Sequence, residues 1–121
     1  MTVGDENLLK IVRGLISTSP EAREESSETV CDWIHSFDCR EARMVAALLS
    51  SVVMLETVSG CRESELNALS ELTATGFIEA NDLAPLQRLQ RNTLQGSELE
   101  HFDYLSGEYF QRARGAGSAG A

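Results

Sequence analysis

Cysteine is scarce in this chain, and its spacing argues against a disulfide framework. The three cysteines, Cys31, Cys39 and Cys61, are odd in number and form no C-x-x-C pair. We therefore expect free thiols, the state favoured in a reducing compartment. Cys39 would lie near a helix N-terminus, but no sequence feature supplies it with a base. We expect it to be a buried or half-buried structural thiol.

Long hydrophobic runs are also missing. The longest uncharged apolar run covers residues 44–55, and its twelve residues are too few to span a bilayer. The N-terminus is acidic, and Lys10 and Arg13 interrupt the apolar residues after it, which is unlike a signal peptide. These features predict a cytoplasmic protein with no membrane partner.

Positive charge is in short supply. Ten Lys and Arg stand against 19 Asp and Glu, which gives a formal net charge of −9. Such a surface repels nucleic-acid phosphates and attracts basic proteins. We therefore expect a basic protein partner and no nucleic acid, although the same charge would also serve solubility alone.

Catalytic and cofactor motifs are absent as well. There is no Gly-x-Ser-x-Gly sequence and no phosphate loop. Gly115-x-Gly117-x-x-Gly120 matches a dinucleotide fingerprint in form only, because no strand precedes it and no helix follows. His35 and His101 lack metal-ligand spacing. We expect no enzyme activity, no cofactor and no metal ion.

Residues typical of helix starts, and apolar residues at helical spacing, are the main positive signals in the chain. Helical apolar spacing predicts a first helix over about residues 5–17. Ser19 can cap a second helix, and Pro20 fits the first position of that helix. Asp38-x-x-Glu41 is a capping box that opens a third helix to about residue 58. That helix is apolar over most of its circumference, so we expect it at the centre of the fold.

The remaining segments complete an all-α prediction with no sheet. Further helices are expected over 61–75 and 81–90, and after a capping box from Ser97 to Glu100. The resulting domain of five to six helices covers 1–111, and the Gly/Ala-rich tail 112–121 is expected to be disordered. Trp33 shares the second helix's apolar face and is expected to be buried.

The second and fourth predicted helices resemble each other. With a shift of 39 residues, Arg23 aligns with Arg62 and Glu24 with Glu63. A helix-pair repeat of about 40 residues is the spacing of HEAT and armadillo units. The pattern favours a short HEAT-like stack, with an irregular helical bundle as the alternative.

The stretch from Glu56 through Arg62-Glu63 and residues 66–72 to Gly76-Phe77-Ile78 resembles small HEAT-like bacterial proteins. Some of these are immunity proteins encoded beside secreted polymorphic toxins. The resemblance covers about residues 19–90. It implies a helical repeat fold and a function of binding and neutralising one toxin, and it transfers no binding residue.

One acidic stripe stands out on the second helix. Glu21, Glu25, Glu28 and Asp32 follow at i, i+4, i+7 and i+11, and no Lys or Arg at i+4 offsets them. Stripes of this kind are commonly just solvated faces. Like charges at this spacing nevertheless cost a few tenths of a kcal/mol per pair, so a partner would explain them. Because Asp32 aligns with Glu71 in the repeat, stacking would widen the stripe. These five residues are the predicted partner-binding site.

Stoichiometric protein binding is the function that these features predict. The first specific hypothesis is an immunity-type inhibitor that occludes a basic toxin. A general adaptor or scaffold subunit is the alternative, followed by a helical enzyme or small-molecule sensor with an unrecognised pocket. If the stripe is only a solvated face, the site moves to the opposite surface, around Ser50, Met54 and the loop at Ser59-Gly60. The oligomeric state stays open.

Overall fold

The computed structural model describes residues 1–111, which are helical with no strand among them. The all-α prediction is therefore confirmed, whereas the predicted tail 112–121 lies outside the described residues. The α-helices are α1 (Asp5–Leu15), α2 (Pro20–Asp32), α3 (Cys39–Leu55), α4 (Ser59–Thr73) and α5 (Ser97–Leu105). Two 3-10 helices, Ala80–Arg88 and Arg91–Thr93, precede α5, and a π-helical turn, Ser106–Gln111, follows it.

Two helix starts are those that the sequence predicts. The Ser19 hydroxyl accepts the N–H of Ala22 at 3.3 Å and caps α2. At α3, the Asp38 carboxylate accepts the N–H of Glu41 at 2.7 Å, and Glu41 accepts the N–H of Asp38 at 3.0 Å. Burial raises the pKa of Glu41, but hydrogen bonds from Thr2, Asp38 and the N-terminal backbone outweigh it and lower the pKa to about 2.

Other boundaries differ from the predicted ones for local reasons. The third helix ends at Leu55 because Glu56 turns inward. Residues 80–88 form a 3-10 helix instead of an α-helix. Pro85 explains this difference, since proline cannot donate the α-helical hydrogen bond and clashes with the preceding turn. The prediction of a capping box from Ser97 to Glu100 is wrong. Gly96, with a φ of 56°, holds the N-cap position, and no side chain caps α5.

Two side-chain predictions are also wrong. Trp33 is only partly buried, because α2 ends at Asp32 and places Trp33 in the following turn, at the edge of the core. Cys39 is exposed instead of buried, because it is the first residue of α3 and lies on its solvent side. All three cysteines are free.

The helices form two rows of neighbours. In one row, α2 packs against α4 and α4 against α5. In the other, α3 packs against the 3-10 helix Ala80–Arg88, which contacts the π-helical turn. α1 contacts both α2 and α3, and α3 also contacts α4. A single core cluster, with Leu49, Leu69 and Leu83 fully buried, joins the rows. α1 and α2 approach closely at Gly14, where a Cβ atom would lie 2.8 Å from the Cβ of Ser26.

Candidate partner-binding face

The five residues predicted to bind a partner all lie on the solvent side of the α2–α4 row. All five are exposed, while the opposite side of α2 buries Ser27 and Val30. The helical periodicity of α2 explains this placement, because residues spaced by four and seven share one side of a helix. We call these residues the acidic face: Glu21, Glu25, Glu28, Asp32 and Glu71.

Three members of the acidic face converge from two helices. Cys31 of α2 is partly buried at the packing contact between α2 and α4. Burial is the first cause that raises the pKa of its thiol to about 11, and the negative charges of Glu71, Asp32 and Glu28 are the next. Glu63 of α4 adds to the same effect. Carboxylates of α2 and α4 therefore create one negative field around Cys31.

The other two members lie at the margins of this field. The Glu21 carboxylate accepts the Ser19 hydroxyl at 3.1 Å. Its pKa is lowered by hydrogen bonding to the backbone and to Ser19. Glu25 lines a groove of about 330 Å³ between α1 and α2, together with Lys10 and Trp33. Glu28, Asp32 and Glu71 are consequently the centre of the acidic face.

No residue of the acidic face forms an ion pair with a described arginine or lysine. The arginines that form ion pairs bind other carboxylates. Those arginines are Arg23, Arg40, Arg43, Arg62 and Arg91. They bind carboxylates outside the acidic face: Glu56, Asp5, Glu79, Asp82, Glu98 and Asp103. The ion pairs therefore join different helices and turns, and the outer side of α2 stays negatively charged.

A buried ionic cluster behind the α1–α2 turn was not predicted. Glu56 binds Arg23 through two hydrogen bonds of 2.8 and 2.9 Å. It also accepts the N–H groups of Thr57 and Val58 at 3.1 and 3.0 Å, at the start of α4. Burial raises the pKa of Glu56, but these hydrogen bonds prevail and lower it to about 2. Arg23 reaches the Ser17 carbonyl as well, so the pair ties the α1–α2 and α3–α4 turns together.

Glu65 lies beside this pair, is fully buried, and interacts with the Glu56 carboxylate. Burial and the neighbouring Glu56 carboxylate raise its pKa to about 9, so Glu65 is protonated at neutral pH. The sequence carried a signal for this burial, since Glu65 follows Cys61 by four residues on the side of α4 that buries Leu69 and Leu72. Complete burial keeps Glu65 from acting on an external substrate.

Of the other candidate residues, two share a groove and one lies at a helix contact. His35 and Cys39 line one groove of about 440 Å³, but no hydrogen bond joins them. His101 lies 3.3 Å from Glu63, so it belongs to the α4–α5 contact. Of the alternative surface around Ser50, Met54 and the Ser59-Gly60 loop, Ser50 is fully buried and donates to the Ala46 carbonyl, whereas Ser59 and Gly60 are exposed.

The field around Cys31 can be measured without a partner. In a Cys39→Ser background, iodoacetamide should modify Cys31 slowly at pH 8, because its thiol pKa lies near 11. Replacing Glu28 and Glu71 with Gln and Asp32 with Asn should lower the midpoint of the pH–rate profile. The midpoint should stay above 9, the ordinary thiol value, because burial is the largest cause of the shift. An unchanged profile would show that the three carboxylates do not converge there.

Neither a membrane span nor a metal-ligand group is found in the described part of the chain. Within residues 1–111, no helix combines the length and apolar character needed to cross a bilayer. Over the same range, no group of three or more His, Cys, Asp or Glu side chains is placed to hold a metal ion. Compared with known proteins, the chain matches no family model, no curated protein and no solved structure.

Proposed function

We propose that this chain is a stoichiometric protein-binding module that receives a basic partner on its acidic face. In its most specific form, it is an immunity-type inhibitor that occludes a basic toxin in the cytoplasm, without catalysing a reaction. The observation that carries the proposal is the set of exposed carboxylates on α2 and α4 that form no ion pair with a described arginine or lysine.

Electrostatics supplies the mechanism of association. A single-sign surface steers an oppositely charged protein toward the correct orientation and raises the association rate. Glu28, Asp32 and Glu71 would meet basic side chains of the partner. If those side chains normally bind substrate phosphates, the acidic face occupies them in place of the substrate. Occlusion of the partner's site then follows from the bulk of the helical domain.

We propose that the helices that carry this surface form a HEAT-like stack. Its support is the succession of α2, α4 and α5, which begin at Pro20, Ser59 and Ser97 and pack in that order. The repeated ion pairs add to it. Arg23 binds Glu56 at 2.8 Å, and Arg62, which lies 39 residues further on, binds Glu98 at 3.0 Å. Stacked repeats build continuous binding surfaces across neighbouring helices, as the acidic face does across α2 and α4.

An adaptor subunit remains the alternative within the same class. The position of the gene separates the two, because a toxin gene immediately upstream favours an immunity protein. An enzyme or small-molecule sensor would require polar groups that converge in a deep pocket. The groove that contains His35 and Cys39 is the place to look, and the lack of a hydrogen bond between them disfavours it.

The capture of a partner by matched variants tests the proposal. The wild-type chain and a Glu28→Gln/Asp32→Asn/Glu71→Gln variant are immobilised, exposed to lysate of the native host, and compared by quantitative mass spectrometry. We expect one basic protein at equimolar amount on the wild type, and at least about tenfold less on the variant, because the variant lacks the charges that orient the partner.

A control variant separates the acidic face from net charge. Asp5→Asn/Glu6→Gln/Glu100→Gln removes the same number of exposed carboxylates outside the acidic face. It should capture the partner as the wild type does. Equal capture by the wild type and the acidic-face variant would refute the proposed site, and a captured partner without basic character would refute the proposed mechanism.

A further inference from the structure

The groove between α1 and α2 adjoins the acidic face, because Glu25 belongs to both. Its volume is about 330 Å³, at the lower end of the range for binding pockets. One wall is a line along α2, in which Glu25, Thr29 and Trp33 follow at intervals of four residues. The Trp33 N–H donates to the Thr29 carbonyl at 3.0 Å and so extends this line past the end of the helix. The groove has room for one long side chain.

The inner part of the groove is apolar and aromatic. Ile11 of α1 lines it and is only 2% exposed. Trp33 is partly buried, because it packs against the core and also lines the groove. The Thr29 hydroxyl donates to the Glu25 carbonyl at 3.0 Å, so it is already occupied. This part therefore suits the methylene stem of a long side chain, and the indole suits a cationic head group.

The polar groups of the groove are mostly acceptors. The Glu25 carboxylate is exposed and forms no ion pair within residues 1–111. Glu21, one turn earlier on α2, is exposed as well. The Asn7 amide donates its N–H to the Val3 carbonyl at 2.9 Å, which leaves its oxygen as an acceptor. Against these acceptors stands one cation, the exposed Lys10 on the α1 wall. The balance favours a cationic ligand with several N–H donors.

We propose that this groove receives an arginine side chain of the basic partner, held by Trp33 and Glu25. The guanidinium stacks on the indole and donates to the Glu25 carboxylate and to the Asn7 amide oxygen. Arginine fits better than lysine, because its planar head both stacks on an aromatic ring and carries five donors. Lys10 repels this cation and weakens its binding. The inference rests on the proposed function and deepens it, since it names the side chain by which the partner is recognised.

A fluorescence titration of the full chain tests the proposal, because Trp33 is its only tryptophan. The probe is an acetylated and amidated peptide in which arginine alternates with glycine. Matched peptides carry lysine, or citrulline, which has nearly the shape of arginine without its charge. We expect a saturable change in Trp33 emission with the arginine peptide, a smaller one with the lysine peptide and none with the citrulline peptide.

Four variants, measured by calorimetry with the arginine peptide, identify the groups that bind it. Glu25→Gln should weaken binding roughly two- to fivefold, as the loss of an exposed ion pair does. Trp33→Leu should weaken it by a similar factor through the loss of stacking. Lys10→Gln should strengthen binding, because it removes the opposing charge. Glu100→Gln, exposed on α5, is the matched control and should bind as the wild type does. Glu25 and Lys10 are exposed, so their variants test the groove even if Trp33→Leu unfolds the chain.

The outcomes separate this inference from the proposed function. Peptide binding in the calorimeter with no change in Trp33 emission would overturn the inference and leave the acidic face as the site. An equal emission change with the citrulline peptide, or no binding of the arginine peptide, would overturn it too. If Trp33 responds to arginine but Glu28→Gln/Asp32→Asn/Glu71→Gln binds the peptide as the wild type does, the groove is supported and the centre of the acidic face is refuted.

Discussion

Replacement of Glu56 by alanine is expected to lower the free energy of unfolding by about 3–5 kcal/mol, as the loss of one partner from a buried ion pair does. The side chains of Arg23 and Glu56 are 15% and 1% exposed. Without Glu56, the guanidinium of Arg23 keeps its hydrogen bond to the Ser17 carbonyl but loses its counter-charge. The N–H groups of Thr57 and Val58 lose their acceptor too. Urea denaturation followed by circular dichroism measures the loss.

Two further variants make this result specific. Asp103→Ala removes an ion pair of equal length, 2.8 Å, but one whose side chains are 62% and 45% exposed. It should cost far less than Glu56→Ala does, because water and salt screen exposed pairs. Glu56→Ala is also measured in a Glu65→Gln background. There the Glu65 carboxylate is absent and cannot replace Glu56 as the counter-charge of Arg23. A loss below about 1 kcal/mol in that background would contradict the role given to the pair.

Glu65→Gln is expected to stabilise the protein by an amount that grows with pH. The pKa of Glu65 is raised from its ordinary value of 4.5 to about 9, first by burial and then by Glu56. Between these values the folded chain holds a proton that the unfolded chain has released, so the wild type loses stability as pH rises. The loss approaches a factor of about ten in the unfolding equilibrium constant per pH unit. Gln is neutral throughout and does not share this loss.

Parallel urea titrations at about pH 5, 7 and 9 isolate the contribution of Glu65. The stabilising carboxylates Glu41 and Glu56, whose pKa values are lowered to about 2, lose their contribution only as pH falls below about 4.5. With pKa values of about 2, both are ionised from pH 5 to 9, so they do not contribute to the pH dependence over that range. Near pH 5 the two proteins should have similar stability, and by pH 9 the variant should be clearly more stable. Curves that stay parallel over the whole range would mean that Glu65 is ionised in the folded state.

Local signals account for the parts of the fold that the sequence predicts. The starts of α2 and α3 depend on Ser19, Pro20 and the Asp38–Glu41 box, all within a few residues of the backbone groups that they satisfy. The exceptions come from contacts between distant segments. Glu56 ends α3 early because Arg23, 33 residues away in sequence, binds it. The 3-10 helix at residues 80–88 is a local exception, in which Pro85 overrides the helical spacing of the leucines.

In the candidate site, too, some features follow from local sequence and others from contacts between distant segments. The exposure of Glu21, Glu25, Glu28 and Asp32 follows from helical periodicity, so the sequence alone predicts it. The approach of Glu71 to Cys31 depends on how α2 packs against α4, which the 39-residue shift anticipates only in outline.

The buried proton on Glu65 has no counterpart in local rules. A carboxylate is expected on a helix surface, and it was the packing around Arg23 and Glu56 that buried this one. The position of Glu65 among the apolar residues of α4 was nevertheless a signal in the sequence.

The association rate of the captured partner, measured by stopped flow as a function of salt, tests the binding role of the acidic face most directly. For the wild type we expect the rate to fall steeply as the Debye length shrinks from about 10 Å at 0.1 M to 3 Å at 1 M salt. Glu28→Gln/Asp32→Asn/Glu71→Gln should bind at least about tenfold more slowly at low salt and respond less to salt. Asp5→Asn/Glu6→Gln/Glu100→Gln should behave as the wild type does. If both variants associate at the wild-type rate with the same salt dependence, the acidic face is only a solvated surface and the central claim is wrong.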